Sequence, residues 1–139
     1  MSEDNIQRLL PAEAWALLQR EPRAVLIDVR SKLEHDYIGH PTGAVLVMWK
    51  DYPDWQENLH FVDDVRAALA ASGGDDIDRP LLALCRSGAR SLAAAKKLAA
   101  AGYRRLYNVE EGFEGDKNAV GHRSTVSGWR FRGLPWEQS

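Results

Sequence analysis

The chain contains a single cysteine, Cys85, set in the stretch "LLALCRSGARS" at residues 81–91. A short apolar run of strand length ends on it. Gly88 lies three residues on, Arg86 and Arg90 flank the turn, and an alanine-rich helical pattern begins at about Ala89. The thiolate is the nucleophilic form of cysteine, and positive charge or free backbone N–H groups stabilise it. A helix N-terminus supplies such groups with a partial positive charge, and a glycine lets the preceding chain turn tightly enough for amides to converge on an anion. Cys85 is therefore expected to react as a thiolate without a histidine base. The competing reading is a buried cysteine acting as a small hydrophobe. The glycine, the two arginines and the strand-to-helix junction gathered around it favour the reactive reading.

The surrounding pattern must place that turn. "AVLIDVR" and "LLAL" are short, apolar throughout and bounded by polar residues or proline, which predicts buried strands. "GAVLVM" and the apolar part of "RRLYNVEEGFEGD" predict two more. Between them, helical spacing predicts helices over "PAEAWALLQRE", briefly over "SKLEHDYIGH", over 61–72 and over 89–101. In the first of these, Trp15, Leu17 and Leu18 share a side. Strands alternating with helices argue an α/β fold with a central parallel sheet covered by helices on both faces. In such sheets working sites lie beyond the carboxyl ends of the strands, where Cys85 falls.

Composition bounds the rest. A chain of 139 residues with 45% apolar and 27% charged residues fits one domain over 1–139 with a real core. A net charge of −2 supplies no basic stripe, so nucleic acid is not an expected partner. The polar start "MSEDNIQRLL" is unlike a signal peptide, no apolar run reaches bilayer length, and one cysteine cannot form an intrachain disulfide. A soluble, cytoplasmic domain away from membranes is expected.

These residues resemble the single-domain rhodaneses, a sulfurtransferase family. "LLALCRSGARS" is similar to the family's active-site segment, in which cysteine opens a six-residue loop before a helix. "LIDVRSKLEHDYIGHPTGAV" resembles its Asp-Val-Arg stretch with the Gly-His and Gly-Ala pairs that follow. "GYRRLYNVEEGF" and "GLPWEQS" resemble its later segments, so the likeness covers nearly the whole chain. It departs in two places: Pro41 directly follows Gly-His, and Glu111 stands where a glycine often precedes Gly112. The resemblance implies a rhodanese-like α/β fold, no cofactor and a two-step transfer. Cys85 would take the sulfane sulfur of a small anionic donor such as thiosulfate as a persulfide, and a thiol or protein acceptor would remove it. Backbone amides of Arg86, Ser87, Gly88, Ala89 and Arg90 would hold the persulfide, and both arginines would attract the donor.

Two alternatives compete. Cysteine-dependent phosphatases and arsenate reductases cradle a thiolate in a similar turn, but with five residues between cysteine and arginine and generally a histidine before the cysteine. Here four residues separate Cys85 from Arg90, Ser91 stands at the phosphatase arginine position, and Leu84 replaces the histidine. A shorter loop makes a narrower cradle, suited to one sulfur atom. A non-catalytic binding module is the other alternative, and the cysteine with its arginines argues against it.

Asp28 and Arg30 end a strand on the same sheet edge as Cys85, and pairing to hold neighbouring loops is the expected role. His35, His40, His60 and His122 are scattered in sequence, and none sits at ligand spacing with Cys85, so no metal site is expected. Trp49, Tyr52 and Trp55 are read as part core and part pocket rim. Gly112 and Trp129 lie farther apart than the rhodanese pattern leads one to expect. The intervening loop, within 113–127, is long for a compact domain and is expected at the active-site mouth. Glu114, Asp116, Lys117, His122 and Arg123 are its candidate rim residues, with His122 and Arg123 nearest the anion.

Overall fold

The computed structural model describes residues 6–51 and 53–139, so Tyr52 lies outside the described residues. Five strands form one parallel sheet: β1 (Ile6–Leu9), β2 (Val25–Asp28), β4 (Val45–Leu46), β7 (Pro80–Leu84) and β8 (Arg105–Val109), in spatial order β1-β8-β7-β2-β4. The central β7 is buried along its whole length, as a strand covered on both faces must be. Two minor antiparallel pairs complete the strands. β3 (His40–Pro41) pairs with β9 (Trp136–Glu137), and β5 (Lys50–Asp51) with β6 (Gln56–Glu57).

Alternation along the strands splits the core in two. Val25, Ile27, Leu81, Ala83 and Cys85 face α2 (Phe61–Ala71) and α3 (Ala89–Ala100), where Phe61, Val65, Leu69, Ala94, Ala95 and Leu98 are buried against them. Leu26, Leu82 and Leu84 face the other way, toward α1 (Pro11–Arg20) with Ala14 and Leu17, and toward Phe113 and Trp129. Trp15 and Leu18 of α1 pack on the margin of this second cluster, and Trp15 meets Trp129 edge to face at 6.0 Å. Helices thus cover both faces, as expected.

The differences are local. Ile6–Leu9 belongs to the sheet as its outer strand rather than to a polar lead-in. Its pairing with β8, some hundred residues away, leaves no local trace. The expected short helix is largely a five-residue π-helical turn, Glu34–Ile38, and "GAVLVM" contributes only Val45–Leu46. Trp49 is core and packs edge to face on Phe61, whereas Trp55 is part-exposed at a cleft. Among the described residues, no helix is long and apolar enough to cross a membrane.

Candidate active site

β7 delivers Cys85 to the carboxyl edge of the sheet between two neighbours. Asp28 of β2 is in register with Leu84, and Asn108 of β8 with Ala83. Gly88 ends the turn and precedes α3 with φ of +123°, a conformation open to glycine and closed to most other residues. That conformation turns the Gly88 N–H onto Cys85 Sγ at 3.1 Å. The Ser91 hydroxyl, in the first turn of α3, lies 3.3 Å from the same sulfur. Cys85 is almost fully buried, so its sulfur looks onto donors rather than onto bulk water.

Ser91 stands at a branch point. Its Oγ also reaches the carbonyl of Gly88 and Oδ1 of Asn108. Asn108 donates through Nδ2 to the Gly88 carbonyl and to Glu110, which fixes its Oδ1 toward the serine. One hydroxyl proton serves one of three acceptors, and charge on the sulfur draws it there. Neither Ser91 nor Asn108 was among the sequence candidates. Ser91 lay inside the motif and could have been read there, but Asn108 reaches the site only through strand pairing.

The two arginines are placed differently. Arg90 makes a two-pronged ion pair with Glu34, at 2.9 and 2.8 Å. Burial alone would push the Glu34 carboxyl up, but the Arg90 hydrogen bond and charge outweigh it and hold it below the ordinary carboxylate range. Burial likewise lowers Arg90, and Glu34, then the Cys85 and Asp28 charges, more than restore it. The guanidinium of Arg90 thus holds the loop through Glu34, and it also lines one of the clefts at Arg86, over the Trp55 ring. Arg86 is exposed, makes no side-chain ion pair among the described residues, and lines clefts on both sides of the turn. Ser87 is part-buried and Ala89 exposed in the same turn.

Glu34 comes from a segment tied down beneath. Ser31 and Glu34 exchange hydrogen bonds in the manner of a capping box, for which Ser-x-x-Glu was the sequence signal. At the base, the fully buried Asp28 accepts two bonds from the Arg30 side chain, one from its backbone N–H and one from His35 Nδ1. Burial would raise the Asp28 carboxyl, and the His35 and Arg30 contacts hold it below its usual range instead. Arg30 also donates to the Gly39 carbonyl. His40 stacks on His35 at 3.7 Å, so two of the histidines that look scattered in sequence meet in this buried cluster. Among the described residues no cluster of histidine, cysteine and carboxylate side chains is set to hold a metal ion.

The long loop returns to the same edge. Phe113 N–H bonds the Cys85 carbonyl, and Glu114 and Gly115 N–H bond that of Arg86. Trp129 N–H closes the excursion on Gly112. Glu114 and Arg123 line a cleft shared with Arg86, whereas Asp116, Lys117 and His122 are exposed and line neither of the two clefts at Arg86. The backbone of His122 is held by Asn118 in a turn. Two clefts of about 240 Å³ each meet at Arg86 and Trp55. A larger cavity of about 310 Å³ lies by the amino-terminal part of β2, away from Cys85.

Fold and site together define a class: single α/β domains built around a cysteine at the strand-to-helix turn of the central strand. Comparison with known proteins places the chain within it. The family model for the rhodanese-like domain matches residues 10–119, and the chain belongs to that family. The crystal structure of Rv0390 from M. tuberculosis is 40% identical and superposes with a TM-score of 0.83, covering 96% of this chain and 98% of that one. The thiosulfate sulfurtransferase GlpE of Pseudomonas fluorescens is 34% identical over 82% of this chain and 85% of its own. An uncharacterized Rickettsia conorii protein, RC0915, is 30% identical over 96% of this chain and 98% of its own.

Proposed function

We propose that the protein is a sulfurtransferase that moves a sulfane sulfur from a small anionic donor, thiosulfate or a near relative, to a thiol acceptor through a Cys85 persulfide. The observation that carries this reading is the sulfur of the lone cysteine facing the Gly88 N–H and the Ser91 hydroxyl, with Arg86, which makes no ion pair among the described residues, lining the clefts at the turn. Family membership and the likeness to GlpE support it.

The steps follow from these groups. Arg86 draws the anionic donor to the mouth. The Cys85 thiolate attacks the sulfane sulfur. A sulfur–sulfur bond forms to Sγ, the donor's own sulfur–sulfur bond breaks, and sulfite leaves with the electron pair. The turn that faces Sγ with donors stabilises the anionic persulfide. An acceptor thiolate then attacks the outer sulfur, and Cys85 departs as thiolate.

Intact-mass measurement after treatment with thiosulfate tests the reading. Wild type should gain the mass of one sulfur atom and lose it on adding a thiol, and Cys85→Ser should gain nothing. Unmodified wild type under saturating thiosulfate, or sulfur transfer by Cys85→Ser, would overturn it.

A further inference from the structure

The cleft on the long-loop side of Arg86 contains charges that thiosulfate does not need. Glu114 is 8% exposed, and its Oε2 has no hydrogen-bond partner among the described residues. An uncompensated buried carboxylate oxygen is costly to keep. It lines a cleft with Ser31, Glu34, Trp55, Arg86 and Arg123. Glu34 is already engaged by Arg90 and Ser31, so Glu114 is the carboxylate of this lining that has no such partner among the described residues. Arg123 uses one N–H to hold the Gly115 carbonyl, and neither it nor Arg86 makes an ion pair among the described residues. The Glu114 N–H is bonded to the Arg86 carbonyl, one residue past Cys85, so the Glu114 backbone is fixed to the turn that carries the nucleophile.

A carboxylate and two guanidiniums that make no ion pairs among the described residues are poor surroundings for a simple anion, which the carboxylate repels. It suits a molecule carrying an ammonium and a carboxylate together. We infer that this cleft is the acceptor subsite and that it selects a zwitterionic aminothiol of amino-acid size, whose ammonium meets Glu114 and whose carboxylate meets Arg123 and Arg86. The inference rests on the sulfur-transfer reading above. The acceptor enters as its thiolate, its proton having gone to solvent. Its sulfur bonds the outer persulfide sulfur, the bond from that sulfur to Cys85 Sγ breaks, and Sγ keeps the electron pair. The product is the acceptor's persulfide.

The test uses full-length protein loaded with thiosulfate, desalted, and discharged by three thiols followed by intact mass. L-cysteine carries both charges, cysteamine lacks the carboxylate and 3-mercaptopropionate lacks the ammonium. Rates are compared per thiolate. Cysteine should discharge wild type about tenfold faster than either analogue, the effect of losing one charged hydrogen bond. Glu114→Gln should erase the advantage of cysteine over 3-mercaptopropionate, and Arg123→Ala its advantage over cysteamine. Equal rates for the three thiols on loaded wild type would overturn the inference, whatever the variants do. So would advantages that survive both substitutions. A wild type that never loads sulfur would instead bring down the sulfurtransferase reading itself, and the acceptor assignment with it.

Discussion

Arg90, five residues after the cysteine, grips Glu34 of the turn beyond β2 through two hydrogen bonds of 2.9 and 2.8 Å. The pair ties the Cys85 turn to the segment held from below by Asp28, Arg30 and His35. Both arginines line the cleft beside Trp55, but Arg86 lines a second cleft as well and makes no side-chain ion pair among the described residues. The two arginines therefore differ in how firmly they are tied down.

Their substitutions should separate in the same way. Arg90→Ala leaves a largely buried Glu34 without its partner and should cost about 2–3 kcal/mol, somewhat less than a fully enclosed pair. Arg86→Ala removes an exposed side chain, so its melting temperature should barely move while KM for thiosulfate rises about tenfold. Thermal denaturation and steady-state kinetics on both variants decide it. A large stability loss in Arg86→Ala, with none in Arg90→Ala, would reverse the assignment.

Ser91 offers a second test. If its hydroxyl turns to the sulfur when Cys85 is charged, Ser91→Ala should slow iodoacetamide alkylation of Cys85 at neutral pH by roughly tenfold, the worth of one charge-assisted bond. Ser91→Thr, which keeps a hydroxyl, should alkylate faster than Ser91→Ala. A purely structural role would leave the two variants equally slow. That result would remove Ser91 from the chemistry.

The parts legible in the sequence were those with local physical signatures. Continuous apolar runs gave β2 and β7, helical spacing gave α1, α2 and α3, and Gly88 between Cys85 and a helix start marked the turn. Pairing of Asp28 with Arg30 was also expected, since both end one strand. What could not be read depends on sequence-distant contacts. The Ile6–Leu9 strand makes sense only beside β8, the His35–His40 stack only once Gly39 has reversed the chain, and Asn108 only through register with Ala83. The tie from Arg90 to Glu34 was equally out of reach, since it forms only when the segment after β2 is brought against the turn. Glu111, noted as a departure, adopts a left-handed φ of +72° that glycine would take without strain. Its side chain offsets that cost by accepting the Gly128 N–H and pairing with Arg132.

The glycine beside it should be far less replaceable. Gly112 has φ of +61°, and a β-carbon there would fall 2.5 Å from the backbone of Cys85 and Arg86. Backbone cannot yield as a flexible side chain does. Gly112→Ala should therefore destabilise the fold by more than about 2 kcal/mol and displace the turn that carries the nucleophile. Gly121→Ala, at a position with open space around it, serves as the control for left-handed strain alone. Urea unfolding of both variants, with persulfide loading by mass, measures the two effects. Equal losses in the two variants would show that contact with the Cys85 turn is not what restricts Gly112.

Acid stability follows from the two depressed carboxyls. Asp28 and Glu34 hold their protons less tightly in the folded protein than in the unfolded chain, where carboxyls titrate near about 4. At pH values around and below 4 the unfolded state therefore binds more protons, and stability must rise with pH through that window. The contribution is fully present above the unfolded values and is lost as pH falls through the lower, folded ones. Asp28→Asn and Glu34→Gln should each be less stable than wild type at pH 7. Between about pH 4.5 and 2 each should show a flatter decline, approaching the wild-type curve at the acid end. Urea midpoints collected across that range supply the slopes. Slopes parallel to wild type in both variants would mean that neither carboxyl is linked to folding, and that the ion pairs beneath the Cys85 turn contribute nothing to its acid sensitivity.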